Sequence, residues 1–124
     1  MKKIFLALLF LFSLPLFAHA HGYTLQDHSK IKRLSSFTIM GQIDLREAED
    51  FSAPVTYRTL NHEGGMKCTV LEVLKEDVQG GEKGRWLYVL TTSPMWVESG
   101  EWIEKYQKFL IFLSDGTPVF DFEE

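Results

Sequence analysis

From residue 37 onward, apolar and polar side chains alternate in short runs separated by turn residues, and no helical period of useful length appears. Runs rich in β-branched and aromatic residues predict strands at 37–43, 55–60, 66–75, 85–92, 95–97, 102–103, 109–113 and 118–122. Many short strands joined by turns are typical of barrels and sandwiches. The pattern therefore predicts an all-β fold.

Two of these runs also predict how their side chains are distributed. In the run 85–92, Trp86, Tyr88 and Leu90 share one face, and the odd-numbered residues share the other. The run 109–113 is apolar at every position, which is typical of a strand that is buried on both faces.

Three connections between the runs carry predictions of their own. Residues 76–84 contain three glycines and are expected to form a mobile loop. Residues 105–108 are expected to form a single helical turn. Asp115-Gly116 between two apolar runs is a strong turn signal and predicts an extra C-terminal β-hairpin over 109–122.

The first twenty residues have the composition of a secretory signal peptide. Two lysines precede an apolar run at 4–17, and Ala18-His19-Ala20 provides a small-x-small cleavage site. Residues 21–36 are polar and weakly patterned, which predicts an N-terminal arm, and the folded domain is expected over 37–124. The mature protein is therefore expected to be periplasmic or secreted.

Cleavage after Ala20 changes the charge balance, because the leader contains two lysines and no acidic residue. The remaining 104 residues carry 11 basic and 17 acidic side chains, a formal net charge of −6. Such a charge disfavours binding to nucleic acid through its phosphates. No second apolar stretch reaches the roughly 20 residues of a membrane span, so none is expected.

The residue inventory after position 20 limits the chemistry further. Cys68 is the only cysteine, so the chain cannot form an internal disulfide. Three Trp, four Tyr and six Phe residues provide enough apolar material for one modest core. No cofactor is expected, and the oligomeric state is left open.

Three stretches between 43 and 110 resemble a bacterial SH3-like (SH3b) domain. Residues 45–48 (Leu-Arg-Glu-Ala) and 51–55 (Phe-Ser-Ala-Pro-Val) are similar to the segment N-[LV]-R-x-x-P-S-x-x-x-x-V. Residues 65–72 and 85–89 are similar to G-x-x-[VY]-x-V-L-E and x-W-x-x-V. Residues 100–103 (Gly-Glu-Trp-Ile) with Tyr106 are similar to G-x-x-G-W-V-x-x-x-Y-L.

The resemblance implies a small SH3-like β-barrel of five to six strands that serves as a binding module for cell-wall peptides or other proteins. The chain departs from the family pattern at several points. Asp44 stands where Asn is common, Glu49 where Pro is common, and one glycine of the last motif is missing. The connection at 76–84 is long, and the hairpin 109–122 lies beyond the usual end of such a domain.

The aromatic residues are the first candidates for a binding site, because rigid amphipathic rings offer contact area at low entropic cost. Trp96 lies between Pro94 and a glycine-containing turn, where an exposed ring is expected. Tyr57, Tyr88 and Tyr106 are the other ligand-binding candidates. Trp86 and Trp102 lie in the family-like motifs and are expected to belong to the core instead.

The second candidate is a metal site at the new N-terminus. His21 with its free amine provides two nitrogen ligands of the kind that copper prefers, and His28 or His62 is available to add another. Cleavage after Ala18 would instead place His21 third in His19-Ala20-His21, a known arrangement for square-planar Cu(II) or Ni(II). Flexible histidines near a cleavage site are also common without any metal.

Cys68 and the acidic clusters are the remaining candidates for chemistry. Cys68 lies in a predicted strand, where a buried apolar role is expected, although His62 is close enough in sequence to activate a thiol. The acids at 47–50 and 121–124 include pairs of the kind used in acid–base catalysis, but exposed acids usually serve solubility.

The sequence thus favours an exported, non-enzymatic SH3-like binding module. Its expected partner is a peptidoglycan peptide or an envelope protein, bound through exposed aromatic residues. The alternative is a periplasmic copper-binding protein that uses His21. A hydrolase with Cys68 as its nucleophile is a third hypothesis, from a different class.

Overall fold

The computed structural model describes residues 24–25, 27–60 and 65–123 of the chain. These residues are nearly all β and contain no α-helix, with one 3₁₀ turn at His28–Lys30. The strands are β1 Ser36–Ile39, β2 Asp44–Arg46, β3 Val55–Arg58, β4 Met66–Gln79, β5 Glu82–Thr91, β6 Met95–Trp96, β7 Trp102–Ile103, β8 Lys108–Ser114 and β9 Val119–Glu123. The predicted all-β class is confirmed.

Seven of the strands form one antiparallel sheet in the order β3-β2-β8-β5-β4-β1-β9. Strands β6 and β7 form a separate two-stranded hairpin. The long pair β4–β5 and the pair β5–β8 make up the middle of the large sheet. Strands β3 and β9 are its edges in the described part of the chain.

The large sheet curls around one hydrophobic core, because alternate residues of its strands meet in a single cluster. On β5 the odd-numbered residues Leu87 and Val89 face this core and are fully buried, as the alternation predicts. On β8 the inward residues are Phe109, Ile111 and Leu113. Their even-numbered neighbours are half-buried, so only one face of β8 lies in the core.

The described part of the predicted N-terminal arm is packed into the fold rather than standing free of it. Leu25 is 2% exposed, and its backbone N–H donates to the carbonyl of Val119 at 2.8 Å. Ile31 and Ser35 are also buried. A few apolar residues are enough to anchor this segment. Because most of its residues are polar, its average composition suggested an arm.

The predicted mobile loop at 76–84 is wrong, because β4 and β5 continue through it to a two-residue turn. Gln79 pairs with Glu82, and the intervening Gly80 and Gly81 have φ values of 60° and 83°. Two successive residues with positive φ define the type I′ geometry that matches the twist of a β-hairpin. The glycines therefore make the turn tight, and the flanking residues belong to the strands.

The turn at 114–117 forms as predicted, but the two strands that it connects do not pair with each other. The N–H of Thr117 donates to the carbonyl of Ser114 at 3.0 Å. Strand β8 already has β5 and β2 on its two sides, and β9 pairs with β1 instead. The predicted pairing within 109–122 is therefore wrong, because both edges of β8 are occupied.

Gly84 provides a test of the close approach between β5 and β8. A Cβ atom there would collide with the backbone carbonyl of Leu113 and would lie 2.7 Å from Cζ of Phe112. We expect Gly84→Ala to lower the free energy of unfolding by about 2 kcal/mol. Gly116→Ala is the matched control, because the nearest atom to its Cβ is the Ser114 hydroxyl at 3.7 Å. Equal urea midpoints for the two variants would contradict this packing.

Candidate functional site

The β6–β7 hairpin has one face on the core and one face in solvent. Met95, Val97 and Ile103 are buried beneath it, whereas Trp96 and Trp102 are 53% and 46% exposed. The turn is closed by the N–H of Val97, which donates to the carbonyl of Glu101 at 3.0 Å. Alternation along each short strand therefore directs both tryptophans away from the core.

The two exposed tryptophans form one surface feature, which we call the tryptophan pair. Trp96 and Trp102 are direct cross-strand partners, and their ring centroids lie 5.0 Å apart with an interplanar angle of 62°. The predicted exposure of Trp96 agrees with the structure. The expectation that Trp102 is a core residue is wrong, because cross-strand partners share a face and the opposite face of this hairpin already fills the core.

The hairpin is fixed to the large sheet at the end of β3. Thr59 forms an isolated bridge with Val97, and the N–H of Glu98 donates to the carbonyl of Arg58 at 2.8 Å. The hydroxyl of Thr59 in turn accepts from the N–H of Ile43 at 2.8 Å. These bonds hold the tryptophan pair on a rigid support, as a recognition surface requires.

Three exposed glutamates, Glu98, Glu101 and Glu104, lie on the β6–β7 hairpin or directly after it. Glu104 Oε1 accepts a hydrogen bond from the indole Nε1 of Trp102 at 3.0 Å. Glu98 Oε2 accepts from the side-chain amide of Gln42 at 2.7 Å, and Glu101 Oε1 accepts from the hydroxyl of Ser99 at 3.2 Å. None of the three glutamates makes an ion pair with a basic side chain in the described residues.

A groove of about 340 Å³ lies at the closed end of the hairpin, beside the edge strand β3. Residues 55–58 form one wall, and Glu98, Ser99 and Glu101 form the other. We call it the β3 groove. The guanidinium of Arg58 lies in its wall, but Arg58 Nε donates to Asp44 Oδ1 at 2.7 Å. Asp44 is the main cause of the raised pKa of Arg58, and Glu98 adds to it.

The tyrosines predicted to bind a ligand are distributed over several places. Tyr57 is half-buried, packs edge-on against Phe109 at 6.1 Å and lines the β3 groove. Tyr106 is 60% exposed, and Lys105 Nζ lies 5.0 Å from its ring centroid. Tyr88 is half-buried on the outer face of β5 and makes no ring contact with the other candidates. Of the three tyrosines, Tyr57 is the one that lines the β3 groove beside the hairpin.

Residues 105–108 do not form the helical turn that we expected. Tyr106 instead has a φ of 68°, and its N–H donates to the carbonyl of Thr91 at 2.7 Å. The N–H of Gln107 donates to the Thr91 hydroxyl at 3.0 Å. The buried Thr91 thus holds an exposed tyrosine in the left-handed region, a conformation that is unfavourable for a bulky residue.

Trp86 is fully buried, as predicted, but on the outer face of β5 rather than in the main core cluster. The rings of Phe51 and Phe112 cover it at centroid distances of 4.9 and 5.7 Å. Its Nε1 donates to Asp77 Oδ2 at 3.0 Å, and this bond is the main cause of the lowered pKa of Asp77. Trp86 is therefore structural and is not available to a ligand.

The loop between β2 and β3, which contains Phe51, is held over Trp86 by a buried arginine. Arg46 Nη1 donates to the carbonyls of Ala53, Phe51 and Asp50 at 2.6, 3.2 and 3.5 Å. Arg46 and Arg58 both line a neighbouring pocket of about 310 Å³, and both contact Asp44. Their charges serve this local network, which makes the pocket a weaker candidate site than the hairpin.

The structure does not support Cys68 as a nucleophile. Cys68 is 1% exposed in β4, and burial raises the pKa of its thiol to about 12. The thiolate is the reactive form of cysteine, and it is scarce at neutral pH with such a pKa. His62, the base that sequence reasoning offered, lies outside the described residues.

The remaining candidates for chemistry show no catalytic arrangement in the described residues. His21 lies outside them, and within them no group of three His, Cys, Asp or Glu residues is placed to hold a metal ion. In the acidic cluster at 47–50, hydrogen bonds from Ser52 lower the pKa of Asp50, the opposite of what a general acid needs. In the cluster at 121–124, Asp121 and Glu123 are exposed.

Comparison with known proteins adds no relative. No protein-family model, no curated protein and no solved structure matches the chain. Within the described residues, no helix has the length and apolar character that crossing a membrane requires.

His28 provides a pH-dependent element, because its side chain is only 1% exposed within the 3₁₀ turn. Burial lowers the pKa of His28 below its ordinary value of 6.5, and Arg85 lowers it further. Asp115, whose Oδ1 lies 3.9 Å from Nδ1, the Thr117 backbone and Asp27 act in the opposite direction. Neutral His28 is therefore the form that the fold favours.

The pH dependence of stability tests this assignment. The stabilisation from neutral His28 is complete above about pH 6.5, and it is lost as the pH falls from there towards the lower pKa of the folded state. His28→Gln should flatten the decrease in urea-unfolding free energy between pH 7 and pH 5, by at most about 1.4 kcal/mol per pH unit. The same slope of unfolding free energy against pH in the parent protein and in His28→Gln would contradict a neutral, buried His28.

Thiol labelling tests the burial of Cys68. We expect the native protein at pH 8 to react with a water-soluble disulfide reagent at least about 100-fold more slowly than the urea-unfolded protein, since reaction requires both access and the thiolate. The unfolded protein is the matched control, because it contains the same thiol. Comparable rates in the two states would restore Cys68 as a candidate nucleophile.

Proposed function

We propose that this protein is an exported, non-enzymatic binding module of the SH3-like type. Its ligand is a peptide, presented by the cell wall or by an envelope protein. The observation that carries the proposal is the exposed tryptophan pair on a hairpin whose other face is anchored in the core.

The energetics of exposed tryptophan support a binding role. A Trp or Phe side chain offers about 150–250 Å² of surface, and burying it against a partner is strongly favourable. Trp96 and Trp102 are each about half exposed and lie side by side, so one ligand can cover both. Tryptophans with such a rigid support are frequent binding hot spots.

The proposal of a binding protein rather than an enzyme rests on the titratable groups. The buried Cys68 thiol has a raised pKa, and hydrogen bonds from Ser52 and Trp86 lower those of Asp50 and Asp77. These shifts hold the thiol protonated and the carboxylates ionised, which suits packing and local hydrogen bonds.

Export and the SH3-like type rest on the sequence. The leader at 1–20 combines lysines, an apolar run and a small-x-small end, which supports a periplasmic or extracellular location. The order and spacing of the three family-like motifs support the SH3-like type. Arg46 in the first motif has a structural role that fits this proposal, since it holds the loop over Trp86.

Co-sedimentation of the purified protein with isolated peptidoglycan tests the proposal at low and moderate salt. Trp96→Ala and Trp102→Ala should each reduce pelleting about tenfold, because each removes a central apolar contact. Both variants should keep thermal midpoints within a few degrees of the parent, because neither ring fills the core.

Val78→Ala is the matched control, since Val78 is 53% exposed and lies at the C-terminal end of β4. It should pellet like the parent protein. Pelleting that is unchanged in both tryptophan variants would contradict binding through the pair. A parent protein that does not pellet at either salt concentration would contradict a cell-wall ligand.

A further inference from the structure

We infer that the tryptophan pair and its three glutamates bind cationic side chains of an extended, lysine- or arginine-rich segment of a protein partner. This inference rests on the proposed function and names the ligand chemistry of the same site. It depends on one combination of features: two exposed indole rings, and glutamates on the same hairpin that form no ion pair within the described residues.

Carboxylates lie close to the exposed face of the hairpin. Glu104 follows Trp102 by two residues, and its Oε1 accepts from the Trp102 indole at 3.0 Å. Glu98 stands two residues after Trp96, at the start of the turn, and it is exposed as well. An ammonium or guanidinium group over the face of Trp96 or Trp102 would thus gain a cation–π contact and a nearby carboxylate together.

The negative charge of this surface is not balanced by its neighbours. The side-chain partners of the three glutamates are Gln42, Ser99 and the Trp102 indole, and all of these are neutral. Arg58 binds Asp44 and is also within reach of the charge of Glu98, and Lys105 keeps its charge beside the Tyr106 ring. The three glutamates and Asp44 together outnumber these two cations. The surface therefore retains negative charge that a cationic ligand can neutralise.

The shape of the site favours an extended chain over an isolated amine. Glu98 and Glu101 also line the β3 groove, so carboxylates continue from the tryptophan pair along the edge strand. The hairpin occupies the end of this edge, where the Arg58 carbonyl accepts from the N–H of Glu98, and no further strand pairs with β3 in the described residues. A segment lying along this edge can place successive cationic side chains at the groove and at the tryptophans.

A second copy of the chain fits this surface poorly. In a symmetric dimer, the same patch on both copies would meet itself and bring the glutamates of one copy against those of the other. Juxtaposed like charges oppose association. Charge complementarity thus favours a basic partner over self-association.

Binding of synthetic hexalysine, measured by tryptophan fluorescence and calorimetry, tests the inference. The triple variant Glu98→Gln/Glu101→Gln/Glu104→Gln should bind hexalysine about tenfold more weakly, since each exposed ion pair contributes modestly. Glutamine keeps the oxygen that accepts from Gln42, Ser99 and Trp102, so the hairpin should keep its fold. Trp96→Leu should weaken binding about threefold, because it keeps apolar area and removes the π face.

The matched control is the triple variant Glu47→Gln/Glu49→Gln/Glu72→Gln, which removes the same charge from exposed positions away from the hairpin. It should change the affinity for hexalysine less than twofold. Equal losses in the two triple variants would overturn the inference, because they would indicate attraction to the overall net charge.

Two further outcomes separate this inference from the proposed function. Absence of hexalysine binding, together with peptidoglycan pelleting that depends on Trp96, would overturn the inference and leave the proposed function in place. Concentration-dependent dimerisation that Trp96→Ala abolishes would also overturn it, because a second copy would then be the occupant. Failure of both hexalysine binding and Trp-dependent pelleting would contradict both.

Discussion

The structure depends on one constraint: a single curled sheet has one face in the core and one face outside it. Every strand that contributes to the core directs alternate side chains into it, and the others must face outward. On β5 this rule sends Leu87 and Val89 inward and Trp86 outward. On the β6–β7 hairpin it sends Met95 and Ile103 inward and both tryptophans outward. The placement of all three tryptophans outside the core cluster follows from this constraint, whereas Phe37 and Phe109 occupy inward positions and pack within it.

The three outward-facing tryptophans differ in exposure, since Trp86 is buried whereas Trp96 and Trp102 are exposed. Trp86 is covered by a loop, and Arg46 holds this loop by donating to three of its backbone carbonyls. The indole N–H of Trp86 donates to Asp77. Trp96 and Trp102 are left uncovered, with only each other as ring partners in the described residues. The proposed binding role rests on this difference, because Trp86 is covered and Trp96 and Trp102 are exposed.

Sequence reasoning predicted the features that depend on local pattern. Most strand positions, the faces of β5, the turn at Asp115-Gly116 and the exposure of Trp96 follow from alternation and turn chemistry. It failed where the answer depends on tertiary neighbours. The pairing of β9 with β1 depends on which sheet edges are occupied, and the burial of Leu25 depends on its backbone bridge to Val119. The exposure of Trp102 does follow from a local feature, because Trp102 lies directly opposite Trp96 in the hairpin and shares its face.

The central claim is that the tryptophan pair is a ligand surface while Trp86 is structural. The most direct test follows the three indole N–H signals by NMR while hexalysine is added to the purified protein. We expect the signals of Trp96 and Trp102 to shift together and saturably, while the Trp86 signal stays in place and exchanges most slowly with solvent. A shift of Trp86 without the other two, or equal exchange of all three with no shifts, would contradict it.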